Sequence, residues 1–179
     1  MHGNEILKQA TNFNRSQSNL LVVVVLTAIN LFLFITGSDM QFLFSASIPT
    51  VILVVADSFS WMMGEPSIWY GGIALAFGSV GIYLLCWWLS KKRRVFILVA
   101  LIFFSIDALV FLFFFFDNLM YGFFDLFDII EIAIYAIIMY HLIIGTVAWA
   151  KMKKMEPEDF AATRAAWKNL KQNNDNEEE

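Results

Sequence analysis

Twenty-two residues in the middle of the chain, Val95 to Phe116, read VFILVALIFFSIDALVFLFFFF, and all but four are Val, Ile, Leu or Phe. At about 1.5 Å of rise per residue this helix is roughly 33 Å long, enough to cross a hydrocarbon layer about 30 Å thick. One residue opposes the crossing: Asp107, near the middle. An Asp at that depth costs about 2.5–3.5 kcal/mol on insertion scales, while each Leu, Ile, Phe or Val returns about 0.3–0.6. The apolar residues outweigh the single carboxylate, so the segment inserts, and Asp107 becomes the residue that needs a reason. Just before the run stands Lys91-Lys92-Arg93-Arg94, the densest basic cluster in the chain.

Composition agrees. Of 179 residues, 59% are hydrophobic and 16% charged, where soluble domains run near 45–50% and about 25%. The excess lies in long runs, which is the membrane signature. Net charge is −4, with four acids in the last five residues, Asp175 to Glu179. The bases sit at membrane edges, which leaves no nucleic-acid footprint. A single cysteine, Cys86, excludes an intrachain disulfide, a CxxC motif and a zinc cluster, and leaves the redox compartment undetermined. Its place beside Trp87-Trp88 reads as packing. No HExxH, GxSxG, phosphate loop or dinucleotide fingerprint is present. No enzyme activity, cofactor or metal is therefore expected.

Three regions follow. Residues 1–18 are a polar leader, either a weak amphipathic helix at the interface through Ile6, Leu7, Ala10 and Phe13, or disordered. Residues 19–155 form a helical membrane domain. Residues 156–179 form a short cytoplasmic helix carrying Phe160, Trp167 and Leu170 on one face, followed by a disordered acidic tail. Within the membrane domain, Leu20–Ile35, Ile68–Leu89, Val95–Phe116 and Ile129–Ala150 read as spans. Asn30, in the first, is expected to bond a neighbouring helix or its own backbone. Ser45-Ala46-Ser47 has the small residues of a cleavage site, but the preceding run is long for a signal peptide and its flank is weakly basic.

Phe42–Met63 is ambiguous. Pro49 divides it, and proline suits the first turn of a helix, so a helix is expected to start near Pro49. The remaining 14 or 15 residues give about 22 Å, short for a crossing. The segment is either a short re-entrant helix or a kinked span. The fold class is accordingly all-α integral membrane, with four transmembrane helices plus a short re-entrant or kinked helix, or alternatively five transmembrane helices. Four spans put Lys8, Arg15, the 91–94 cluster and Lys151 to Lys154 on one side, which the positive-inside rule favours. Both topologies leave the C-terminus cytoplasmic.

The ionisable residues at membrane depth are Asp57, Asp107, Glu131 and His141, with Asp128 near the interface. Counted from the basic ends of their helices, Asp107 lies about 18 Å up and His141 about 14 Å up. A buried Asp–His pair is therefore expected, either as a clamp or as a proton path, with Asn30 or Tyr135 as the next partners for Asp107. A clamp would tolerate Asp107→Asn, which keeps hydrogen bonding and removes a charge. Asp128 and Glu131, spaced i, i+3, share a helix face but lack a histidine partner for metal binding. Gly71, Ala74, Gly78 and Gly81 make a small-residue stripe expected to pack helices closely, within the chain, against another membrane protein, or in a homo-oligomer.

NLLVVVVLTAINLFLFITGSD, FLFSASIP and YLLCWWLSKK together resemble a group of small multi-pass membrane proteins of Gram-positive bacteria that has no assigned activity. The likeness covers roughly residues 18–155. It implies a bacterial plasma membrane and no site residue. The leading expectation is a non-enzymatic accessory, sensing or protective subunit acting through helix contacts. The alternative is a small transporter or ion- or proton-conducting subunit using Asp107, Glu131 and His141.

Overall fold

The computed structural model describes residues 2–38, 44–122 and 126–153; the short helix and acidic tail expected over 156–179 lie outside them. Five helices follow in order: α1 (His2–Ile35), α2 (Ser47–Met63), α3 (Pro66–Lys92), α4 (Phe96–Met120) and α5 (Leu126–Lys153). Four of them, α1, α3, α4 and α5, are long and apolar enough to cross a membrane, and α2, at 17 residues, is shorter. This is the four-span arrangement with a short extra helix.

The polar leader is part of α1. Helix runs without a break from His2 to Ile35, and Ile6, Gln9, Phe13, Ser16, Leu20, Val23 and Thr27 are all buried. Their spacing alternates three and four, which is the 3.5-residue period that keeps one seam facing a left-handed bundle. The other long helices carry similar seams. On α4 the buried positions are Ile97, Ala100, Phe104, Asp107 and Phe111. On α5 they include Tyr135, Ile138, Leu142 and Gly145. Each seam is narrow: at most 28% of any span is buried, and Phe113, Leu109 and Phe32 are each more than 60% exposed. Apolar faces of that extent are suited to lipid.

α1 packs most extensively along α5, and α2 along α3. Both contacts close on a glycine. A Cβ at Gly145 would collide with Ser16, and one at Gly72 with the Cβ of Ala56. The expected stripe is offset from this contact by about one residue. Gly71, Ala74 and Gly78 are exposed, and a Cβ at Gly71, Gly78 or Gly81 would meet nothing within 4 Å. The small residues that close the α2–α3 contact are Gly72 and Ala56, and the 71–81 stripe faces outward.

The basic ends of the long helices gather. Gln17 donates to Ser90 Oγ at 2.9 Å, and Arg94 reaches Met152 Sδ at 3.4 Å and lies over the Phe13 ring. Lys91 and Lys92 lie over the rings of Trp87 and Trp88. α1 and α4 therefore run away from this basic end, and α3 and α5 return to it.

α2 starts inside the bundle. Ala46, just before it, donates its N–H to Thr27 Oγ1, eight residues and about 12 Å below the end of α1. α2 then runs outward over about 25 Å. Its final turn projects, with Trp61 90% exposed. Gly64 ends it at φ 69°, in the left-handed region, with its N–H bonded to Ser60 O, and Pro66 opens α3. α2 thus enters and leaves on one side, as the re-entrant reading expected, and begins two residues before Pro49.

Candidate functional site

The start of a helix leaves backbone N–H groups without intrahelical partners. In hydrocarbon no water can meet them, and each costs several kcal/mol if left bare. At α2 every one is accounted for. Ala46 N–H goes to Thr27 Oγ1 at 2.9 Å. Ser47 N–H goes to Asp107 Oδ2 and to Tyr135 Oη, both at 3.0 Å. Ile48 N–H goes to Asp107 Oδ1 at 2.8 Å. The next residue, Pro49, has no N–H to satisfy.

Asp107 is thus the N-terminal cap of a helix to which it does not belong. It is fully buried, and Tyr135 O–H donates to its Oδ2 at 2.8 Å. Three donors converge on two oxygens, the pattern of a carboxylate acting only as acceptor. The charge also sits where the helix macrodipole is positive. The descending backbone is met in the same way. Asn30 Nδ2 donates to Phe44 O at 2.9 Å, and Tyr135 Oη lies 3.2 Å from Ser45 O. Phe104 and Phe111 stack on the Tyr135 ring, with centroids 5.4 and 4.4 Å away, and hold its hydroxyl in place.

Beside this cap a cleft of about 260 Å³ opens between α1, α2, α4 and α5. Asn30, Ser45, Ser47, Thr50, Asn118, Asp128 and Glu131 give it a polar lining, with Leu31, Phe111 and Phe115 among its apolar walls. Asp128 and Glu131, expected on one helix face, both line it. The chemistry available is acceptor-rich: two carboxylates, hydroxyls and amides, with no base in the lining among the described residues.

The structure does not bring Asp107 and His141 together. The partners of Asp107 are Ser47, Ile48 and Tyr135. His141 packs against the ring of Tyr140 and lines a groove with Thr11, Asn14, Arg15, Ser18 and Asn19, on the basic half of the bundle. Asp57 is exposed on α2 and lines none of these cavities. Among the described residues, no three His, Cys, Asp or Glu side chains gather as a metal site requires.

Sequence reasoning missed Thr27, Ser45 and Ser47 as parts of the cap. A signal existed: small hydroxyl residues before a proline and an apolar run mark a helix start. No protein-family model, curated protein or solved structure matches the chain.

Proposed function

We propose that the chain is a non-enzymatic subunit of a bacterial plasma membrane, accessory, sensing or protective in role, that works through helix contacts with another membrane protein or a second copy of itself. The outward face of α3 carries this reading: Gly71, Ala74 and Gly78 are exposed, and side-chain room is open at Gly71, Gly78 and Gly81. Helices in lipid associate by close packing of small residues. A face of that kind, unused among the described residues, is where another helix gains such packing. Asp107 supports the reading because both its oxygens are occupied by the cap. The positive-inside rule puts the basic end, and with it the C-terminus, in the cytoplasm.

A second reading, a small ion- or proton-conducting subunit, draws on the polar cleft with Glu131 and the groove with His141. Between those two residues the buried positions of α5 are Tyr135 and Ile138, and between Asn19 and Asn30 on α1 they are Leu20, Val23, Val24 and Thr27. Most of that layer is apolar, which favours the contact reading.

Cross-linking tests it. Gly78→Cys in a Cys86→Ala background, treated with a short bismaleimide in native membranes, should give an adduct larger than the chain, and its mass separates a second copy from a different protein. Absence of any adduct from both Gly71→Cys and Gly78→Cys would overturn the proposal. Proton uptake by proteoliposomes that is lost in His141→Ala would establish the conducting reading instead.

A further inference from the structure

We propose that the cavity at the basic end binds the phosphate-bearing headgroup of an anionic phospholipid. This rests on the membrane assignment alone and is independent of the α3 contact face. The cavity measures about 230 Å³ and lies where α1, α3, the entry to α4 and the end of α5 meet. Its polar wall is Asn14, Gln17, Ser90, Lys91 and Arg94. That set supplies two cations and two side-chain amides, and no acid among the described residues lines the cavity. The wall is fixed from behind, because Gln17 Nε2 donates to Ser90 Oγ at 2.9 Å and Ser90 Oγ donates to Trp87 O at 2.7 Å.

Three features make the ligand a lipid headgroup. The first is level. Lys91 Nζ sits 3.7 Å from the Trp87 ring centre and Lys92 Nζ 4.4 Å from that of Trp88, and tryptophans with lysines mark the headgroup layer. The second is size: the space is below the roughly 300–1,000 Å³ of sites that enclose drug-sized ligands. It therefore admits a headgroup and leaves the acyl chains outside. The third is lining. Phe13 and Met152 form the apolar side, which suits the glycerol end of a lipid, and guanidinium and ammonium groups suit its phosphate. Basic pockets between membrane helices recognise anionic headgroups in this way. The groove across α1 continues the character, with Arg15, His141 and Asn14 and again no acid among the described residues.

The test uses the full chain in a non-ionic detergent, with binding read by Trp fluorescence and by native mass spectrometry. Short-chain phosphatidylglycerol should bind at least tenfold more tightly than short-chain phosphatidylcholine. Lys91→Gln/Arg94→Gln should abolish that preference. Lys91→Gln alone, at an exposed position, keeps the fold and should weaken phosphatidylglycerol binding at least threefold. Lys92→Gln/Arg93→Gln, in the same basic cluster but outside the cavity lining, should leave the preference intact. Equal binding of the two lipids would overturn the proposal, as would equal loss in both double variants. Saturation by inorganic phosphate or glycerol phosphate at the concentrations that suffice for the lipid would reassign the site to a soluble phosphate and overturn the lipid source.

Discussion

Replacing Asp107 with leucine removes the cap of α2, and its cost follows from the donors left behind. Ser47 N–H keeps Tyr135 Oη at 3.0 Å, and the tyrosine hydroxyl can turn to Ser45 O at 3.2 Å. Ile48 N–H, now on Asp107 Oδ1, has no second acceptor among the described residues. One orphaned buried N–H costs about 1–3 kcal/mol. Loss of an anion at a buried helix start adds about 1 kcal/mol, within the range for such sites. The sum, about 2–4 kcal/mol, corresponds to a fall in Tm of roughly 4–16 °C at about 2–4 °C per kcal/mol for a chain of this size. Cys86, the single cysteine and only 4% exposed, is a built-in reporter: a fluorogenic maleimide labels it as the bundle opens. Asp107→Asn should fall between wild type and leucine. The amide keeps one acceptor oxygen but turns an NH₂ toward a backbone N–H. With two backbone N–H groups as the partners in place of His141, asparagine is not the mild change expected of an Asp–His clamp. An Asp107→Leu protein melting within about 2 °C of wild type would refute the capping argument.

Four further outcomes follow from the packing. Gly145→Leu and Gly72→Leu should each lower stability by about 1–3 kcal/mol by overpacking against Ser16 and Ala56, whereas Gly78→Leu should leave the Tm of the isolated single chain in detergent unchanged, all read by the same thermal assay. Ser16→Ala should be neutral or stabilising, because Ser16 Oγ is a buried polar atom without a partner among the described residues. Asn30→Ala should destabilise by about 1–2 kcal/mol by baring Phe44 O. Membrane-impermeant thiol labelling in a Cys86→Ala background should find positions 15 and 92 on one face and positions 62 and 120 on the other; position 15 labelled from the opposite face to position 92 would reject four spans.

Much of the architecture was legible because it rests on length and hydropathy. Three runs long enough to cross, a fourth, Leu20–Ile35, that spans once its helix continues past the run, and one too short, with Pro49 near its start, gave the spans and the re-entrant helix. Asn30 was legible in part: a buried amide in lipid must bond something, but its acceptor, Phe44 O, lies just before α2 and not in a neighbouring helix or in the backbone of α1. The leader was not. Its apolar residues are few, and hydropathy does not register Gln9 and Ser16, although both occupy the 3.5-residue seam that begins at Ile6. The period was present in the sequence, but its polar members concealed it. Of the contacts expected for the α3 stripe, only the one within the chain is displaced, by rotation to Gly72: Gly71 and Gly72 are adjacent, and one residue is about 100° of helix. Composition reveals that small residues recur on α3 but not which of them faces α2.

The same rotation explains why Asp107 meets Tyr135 and not His141. Depth did not discriminate between them. Measured from the ends remote from the basic cluster, Asp107 lies about 20 Å along α4, Tyr135 about 14 Å along α5 and His141 about 23 Å. Helix azimuth decides the contact. Tyr135, Ile138, Leu142 and Gly145 form the inward seam of α5, and His141, one residue before Leu142, points about 100° away from it. Tyr135, seven residues before Leu142, returns to the same face after two turns. His141→Ala should therefore leave Tm unchanged. Tyr135→Phe should lower it by only about 1–7 °C, since hydrogen bonds between membrane helices average about 0.6 kcal/mol with a maximum near 1.7 and Asp107 still holds both N–H groups of α2. If His141→Ala proved as damaging as Asp107→Leu, the histidine would belong to the cap network, and the azimuthal argument would fail with it.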